Sequence, residues 1–259
     1  MHPPKRVDVL GVRVSAVNPA MALACIRGWI ERGDRQYVCV TGVHGVTESL
    51  NDSELRRIHN ESGLTTPDGV PIVWCGKRAG ASWMRRVYGP DLMADVLRLA
   101  AEHGWTSYLY GSSPVTLALL EEKLPHRFPG LRIVGSCSPP FRDLTSEEER
   151  DIVRQINEAG PDLVWVGLST PKQERWMHQF RAELQAPVLL GVGAAFDFHA
   201  GVKRQAPKWM QRSGLEWLFR MVSEPRRLAR RYLKANTRFL YSIVRHPPTL
   251  VDDLDGLDR

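Results

Sequence analysis

What this 259-residue chain lacks already narrows its chemistry. It holds neither GxGxxG nor GxxxxGK[ST], so neither a dinucleotide-binding fold nor an NTPase phosphate loop is supported. No GxSxG elbow occurs, and a Ser–His–Asp triad cannot be assembled. There is no HExxH and no paired-histidine spacing; His44 and His199 stand alone. A lone histidine is more often a hydrogen-bonded structural residue than a ligand. Asp253-Leu254-Asp255 has DxD form but falls in an acidic tail, away from any strand end, so neither a metal site nor a cofactor is expected. Cysteine is scarce: Cys25, Cys39, Cys75 and Cys137 are scattered without a CxxC pair and read as buried thiols of a reducing compartment. No apolar run approaches the roughly 18 residues of a spanning helix, so any membrane is met from its surface. The opening Met-His-Pro-Pro-Lys-Arg leads into a strand-like run and does not read as a secretion signal. Internal repeats and low-complexity linkers are absent from the sequence.

What is present is concentrated. Residues 203–245 hold twelve Lys or Arg against two acids, Glu216 and Glu224, a local balance of +10. The last fourteen residues carry −3, and with a chain total of +6 this leaves residues 1–202 at −1. The basicity is therefore one C-terminal device. Trp209, Trp217, Phe219, Tyr232, Phe239 and Tyr241 lie within it. Basic and aromatic side chains together suit an anionic interface, either a membrane surface or a phosphate-bearing ligand. The body charge of −1 opposes a broad nucleic-acid surface.

Ahead of that segment, apolar β-branched runs alternate with helical patterns. The spacing predicts strands at Val7–Val14, Tyr37–Thr41, Leu64–Thr66, Trp105–Tyr110, Leu131–Cys137, Asp162–Gly167 and Val188–Val192. Helices are predicted from Pro19 to about Arg32, on to Asn60, around Ile72–Arg78, and over Pro90–His103, Pro114–Phe128, Thr145–Ala159 and Pro171–Glu183. Asn18 is the expected N-cap of the first helix, and Thr145 with Glu148 forms a capping box. This βαβα rhythm argues for an α/β fold: a mostly parallel, Rossmann-like sheet with helices on both faces. After Gly201 the rest reads as helical. A long helix starts at Glu224-Pro225 and stops at His246-Pro247-Pro248. Arg227, Arg230, Arg231, Lys234 and Arg238 form one stripe on it, beside a second of Leu228, Tyr232, Ala235, Phe239 and Ile243. The expected organisation is a catalytic domain over 1–201, a basic amphipathic appendage over 202–245 and a frayed acidic tail over 246–259.

Two strand-to-helix junctions carry candidate chemistry. Pro67-Asp68-Gly69 sets a tight turn that can stand Asp68 at the carboxyl edge of the sheet, where ligands bind in doubly wound folds. The same Asp serves equally as a turn former or cap. Thr41, ending the preceding strand, is either a cap or a hydroxyl donor. Gly167-Leu168-Ser169-Thr170-Pro171-Lys172-Gln173-Glu174 offers free helix N–H groups to a phosphate, with Lys172 and Gln173 adding a cation and an amide.

Taken together, Pro67-Asp68-Gly69-Val70-Pro71, Arg86-Val87-Tyr88-Gly89-Pro90-Asp91-Leu92, the Pro171-Lys172-Gln173-Glu174 junction and Gly191-Val192-Gly193-Ala194-Ala195-Phe196-Asp197-Phe198 form a series. Gly214-Leu215-Glu216-Trp217, Arg220, Glu224-Pro225-Arg226-Arg227-Leu228 and Arg230-Arg231-Tyr232 extend it. In this order the series resembles the WecG/TagA/CpsF glycosyltransferase family of bacteria, from about Val7 to Tyr232. The resemblance implies an inverting, metal-independent enzyme that moves a sugar such as N-acetylmannosamine from a UDP donor. The implied acceptor is a polyprenyl-diphosphate-linked sugar, and the implied location is the cytoplasmic face of the membrane, peripherally bound. It implies Asp68 as general base with the Thr41 hydroxyl nearby. Arg86, Asp91, Lys172 and Gln173 would lie at the ligand pocket, and Arg220, Arg227 and Arg230 would come from the appendage. Self-association is left open. Where the family commonly has Thr-x-Asn, this chain has Thr41-Gly42-Val43 followed by His44, so the donor sugar is open too.

The chemistry is consistent with the residues. Inverting displacement needs a carboxylate to take the acceptor proton, and arginine forks can hold a departing diphosphate. If the appendage completes the site while docking on lipid, deleting everything after Gly201 should abolish transfer and membrane association together. The competing readings are transfer of a different hexose or uronic acid, a Rossmann-type oxidoreductase and a non-enzymatic basic peripheral membrane protein. The missing glycine fingerprint opposes the oxidoreductase.

Overall fold

A computed structural model describes residues 3–251, with no description of the side chains of Arg212, 226–232 or Lys234. The chain divides into two compact units. The first collects residues up to Ala22, Val40–Tyr88 and the stretch from Gln205 onward; the second holds Leu23–Cys39 and Gly89–Arg204.

The first unit begins with a hairpin of β1 (Arg6–Val9) and β2 (Val12–Ser15). The sequence pattern reads Val7–Val14 as one strand; the structure folds it back at Leu10-Gly11. Both of these residues have positive φ (59° and 87°), as the twist-matched two-residue turn demands, and Asp8 Oδ1 accepts from the Gly11 N–H at 2.7 Å. Helices α2 (Val43–Ser49) and α3 (Ser53–Glu61) divide the predicted helical region, because Asp52 caps a new start by accepting from the Leu55 N–H. Strand β4 (Leu64–Pro67) and helix α4 (Val70–Arg78) follow.

The C-terminal stretch returns to this unit as α10 (Lys208–Ser213), α11 (Glu216–Ser223) and α12 (Pro225–Arg245). It then adds β9 (Thr249–Val251), a strand that the reading of an all-helical C-terminus does not foresee, antiparallel to β1. Helix α12 begins and ends where its prolines predict. Its apolar stripe is in large part spent on protein. Ala235 and Phe239 are buried, Phe239 and Ile243 pack with Val7, Val9, Val12, Val14, Val46, Ile72 and Met84, and Leu228 and Tyr232 lie outside the described side chains. Trp209, Leu233, Leu240, Tyr241 and Val244 remain exposed.

The second unit carries most of the parallel sheet. Its elements are α5 (Gly89–His103), β5 (Thr106–Gly111), α6 (Pro114–Arg127), β6 (Arg132–Cys137), α7 (Ser146–Ala159), β7 (Leu163–Gly167), α8 (Lys172–Phe180), β8 (Val188–Gly191) and α9 (Ala195–Ala200). Helix α1 (Pro19–Arg32) and strand β3 (Gln36–Thr41) pass between the two units in sequence. The strand order is β4-β3-β8-β7-β5-β6, with parallel pairing from β3 through β6, as the βαβα rhythm predicts. The six residues of β5 are buried, as is Trp165 of β7, in keeping with a sheet covered on both faces. Local signals hold too. Asn18 accepts from the Met21 N–H, and Thr145 and Glu148 form the reciprocal capping box of α7.

Candidate active site

Strand β4 ends at Pro67, and the chain turns through Asp68-Gly69 into α4, with Gly69 at its N-cap and Pro71 in its first turn. The Asp68 N–H donates to the carbonyl of Thr41 at the end of β3 (3.0 Å), and the Val87 N–H donates to the Pro67 carbonyl (2.9 Å). The turn is thereby pinned from two sides, and the carboxylate stands just past the strand end. The sequence places Asp68 as a candidate base at this point.

One guanidinium organises what surrounds it. Arg86 Nε donates to the Asp68 carbonyl (2.8 Å) and Nη2 to Asp68 Oδ1 (3.3 Å). The same Nη2 donates to Glu216 Oε2 at 2.5 Å, and Nη1 to the Gln211 carbonyl at 3.3 Å. The guanidinium carbon lies 4.1 Å from the centre of the Tyr88 ring, a stacked cation–π arrangement. Glu216 in turn faces Arg220 one helical turn on, Oε1 to Nη1 at 3.9 Å. Asp68, Arg86, Glu216 and Arg220 thus form a chain of alternating charge within the first unit.

Burial dominates the electrostatics. Loss of solvent pushes the Asp68 carboxyl from 3.8 up to about 6; Arg86 and Arg220 oppose that rise and Glu216 adds to it. About a quarter of the side chain (26%) is still accessible, so the group can meet a substrate. Burial, reinforced by Glu216 and Asp68, pushes the Tyr88 phenol far above its usual range and keeps it neutral. Thr41 is buried, and its Oγ1 has no hydrogen-bond partner among the described residues. A buried hydroxyl without a partner is costly.

The remaining sequence candidates lie in the second unit or beyond the described side chains. Gln173 and Glu174 are buried in the first turn of α8. Glu174 Oε1 accepts from Thr170 Oγ1 (2.8 Å) and from Gln173 Nε2 (3.1 Å), while Gln173 Oε1 and Glu174 Oε2 are without partners among the described residues. Burial raises the Glu174 carboxyl. Gly193 has φ +50°, and a Cβ there would sit 3.2 Å from Gln173 Oε1, so the small residue avoids a tight contact with that buried oxygen. Lys172 and Asp91 are exposed in the first turns of α8 and α5. Arg227 and Arg230 belong to α12, but their side chains lie outside the described residues, as does Asp253-Leu254-Asp255. No group of three or more His, Cys, Asp or Glu is clustered as a metal site among the described residues.

Of the sequence candidates, Asp68, Arg86, Arg220 and Thr41 lie in the first unit, together with two residues to which the sequence reading gives no role, Glu216 and Tyr88. A signal for Glu216 was available: it is one of two acids among twelve cations. An isolated acid in such a segment has a specific cation to answer to.

A parallel α/β sheet with a partly buried carboxylate just past a strand end, held by arginine, puts that carboxylate where ligands bind in doubly wound folds. Comparison with known families narrows this. Residues 7–250 match the model of the Glycosyl transferase WecG/TagA/CpsF family, and the chain belongs to that family. It is accordingly a glycosyltransferase. One relative, the N-acetylglucosaminyldiphosphoundecaprenol N-acetyl-beta-D-mannosaminyltransferase of Bacillus subtilis (strain 168), is 28% identical over 221 residues, 85% of this chain and 75% of that protein. The protein of the same name from Bacillus spizizenii (strain ATCC 23059 / NRRL B-14472 / W23) is 26% identical over 199 residues, 77% of this chain and 75% of the relative.

Proposed function

We propose that this enzyme transfers an N-acetylmannosamine-like sugar from a UDP donor to a sugar carried on a polyprenyl diphosphate, with inversion and without a metal. The relatives' names supply the acceptor class and the sugar. The observation that carries the mechanism is the Asp68 carboxylate, lifted to about 6, fixed by Arg86 and still open to a substrate. A base with a pKa near the working pH is ionised often enough to act and basic enough to accept a proton.

In the step proposed, an acceptor hydroxyl oxygen attacks the anomeric carbon while its proton passes to Asp68. The bond from that carbon to the diphosphate oxygen breaks, and its electron pair leaves with UDP. Attack opposite the leaving group inverts the centre. Arginines stabilise the charge that develops on the diphosphate; Arg220, Arg227 and Arg230 are the proposed contributors, with Lys172 and Gln173 at the donor. The Thr41 hydroxyl meets the sugar or the acceptor, and Asp91 is a further proposed substrate-binding residue.

The basic appendage over 202–245 is proposed to hold the enzyme on the cytoplasmic membrane surface. In support, the segment is strongly basic, and Trp209, Leu233, Leu240, Tyr241 and Val244 are exposed along it. No helix among the described residues is long and apolar enough to cross a membrane. Each Lys or Arg near an anionic surface adds about 1 kcal/mol, so replacing Arg226, Arg227, Arg230 and Arg231 by Gln should release the protein from anionic vesicles.

The test of the activity is UDP release from a panel of nucleotide sugars with a synthetic lipid-diphosphate sugar as acceptor. Turnover should persist in chelator and fall by about 10²-fold or more in Asp68→Asn, the range over which general bases act. A normal rate in that variant would remove Asp68 from the role. Activity lost to chelator and restored by manganese would remove the metal-free mechanism.

A further inference from the structure

Arg86 reads in sequence as a ligand for the substrate, yet most of its hydrogen-bonding capacity is committed to protein. A guanidinium has five N–H donors in a planar fork. One goes to the Asp68 carbonyl, one to the Gln211 carbonyl, and Nη2 serves both Asp68 Oδ1 and Glu216 Oε2. A bidentate grip on a diphosphate would have to displace Glu216. The Arg86 plane is also fixed from its face by the Tyr88 ring. Glu216 is itself buried, and it reaches from the first turn of α11 to the guanidinium of Arg86. Burying a carboxylate is worthwhile only where it is well paired, and here its partners are Arg86 and Arg220.

We infer that Glu216 is a positioning residue. It shares Arg86 with Asp68, which holds the guanidinium in register and withholds part of its charge from the base. The inference rests on the reading of Asp68 as the base. With Arg86 given wholly to Asp68, the carboxylate would be a stable ion pair and a poor proton acceptor. With Glu216 on the same nitrogen, the positive charge is divided between two carboxylates. The charged groups facing Asp68 are Arg86, Glu216 and Arg220, and the neutral Tyr88 phenol borders the same cluster. Their balance is +1, opposite in sign to the ionised base, so a change at any one of them is felt by Asp68. The arrangement also ties the base to the C-terminal segment, because Glu216 reaches Arg86 from α11.

The experiment is the pH dependence of kcat/KM for Glu216→Gln, which keeps the shape and an acceptor oxygen but removes the charge. The acidic limb should move down by about one pH unit, the size expected for loss of a like charge in a partly exposed cluster. Glu216→Asp should bring it back toward the parent value. A residue that merely held α11 in place would lower the whole profile and leave the limb where it was, and that outcome overturns the inference. If Glu216→Gln turns over too slowly for a profile, titration of the Asp68 carboxyl carbon by NMR, assigned by difference with Asp68→Asn, reads the same shift. The two proposals fail differently. Asp68→Asn at full rate removes the base and this inference with it. Asp68→Asn inactive with an unmoved limb in Glu216→Gln removes the inference alone.

Discussion

Asp68→Asn should cost turnover and strengthen the fold. The carboxyl sits at 3.8 in its ordinary state and at about 6 in the folded protein, with burial as the main cause. Between those values the folded chain keeps a proton that the unfolded chain has released, so stability falls as pH rises through this window and the loss is complete above it. At about 1.4 kcal/mol per pH unit the displacement is worth about 3 kcal/mol. Two things reduce it. A quarter of the side chain is exposed, and the Asn variant weakens the contact with Arg86, which then has Glu216 as its remaining acidic partner in the cluster. A gain of about 1–2 kcal/mol at pH 8 is therefore expected, and with about 2–4 °C per kcal/mol for a chain of this size, melting should rise by roughly 2–8 °C. At pH 5 the gap should shrink to about half, because much of the wild-type folded population is then protonated. Thermal unfolding of both proteins at pH 8 and pH 5, followed by circular dichroism, makes the comparison. A variant that melts below the wild type at pH 8, or a gap that does not narrow at pH 5, would refute the argument that burial sets this carboxyl.

Arg86→Lys should lower kcat/KM by about 10²-fold in UDP release, since an ammonium on a flexible stem cannot serve the Asp68 carbonyl, its carboxylate, Gln211 and Glu216 together. Thr41→Val removes a buried hydroxyl that has no protein partner among the described residues; stability should hold or rise by about 1 kcal/mol while KM or kcat worsens, and unchanged kinetics would take Thr41 out of the site. Gly167→Ala should destabilise by about 1–3 kcal/mol in a denaturant titration, because its Cβ would lie 2.6 Å from the buried ring of Phe196.

The parallel sheet was legible because its signals are local. Buried β-branched runs such as Leu163–Gly167 alternate with helices that carry their own start signals: caps at Asn18 and at Thr145 with Glu148, and Pro114 in the first turn after its cap Ser113. What was missed depends on pairing between distant residues. The turn at Leu10-Gly11 hides inside a continuous apolar run, and β9 becomes a strand because β1 offers it an edge some 240 residues earlier. The site divides the same way. Asp68 stands out through Pro67-Asp68-Gly69 at a strand end, and Arg86 through its motif. Glu216 has nothing local to distinguish it from an ordinary first-turn acid until folding carries it 130 positions back to Arg86.

That return of the chain changes what a truncation can reveal. A chain ended at Gly201 reads, from sequence, as an enzyme that has lost only its appendage. The described residues of the first unit say otherwise. Phe239 and Ala235 are buried, Phe239 shares a core with Val7, Val9, Val46 and Met84, and β9 covers the edge of β1. A buried Phe alone is worth about 3–5 kcal/mol against Ala, a large part of what holds a domain together. The truncated chain should therefore show a lowered or absent melting transition and an exposed hairpin, and its inactivity would say nothing about arginines at a diphosphate. Charge substitutions on α12 that leave Ala235, Phe239 and Ile243 in place separate the two causes. A chain ending at Gly201 that melts as cooperatively and as high as the full protein would show that this core does not depend on α12.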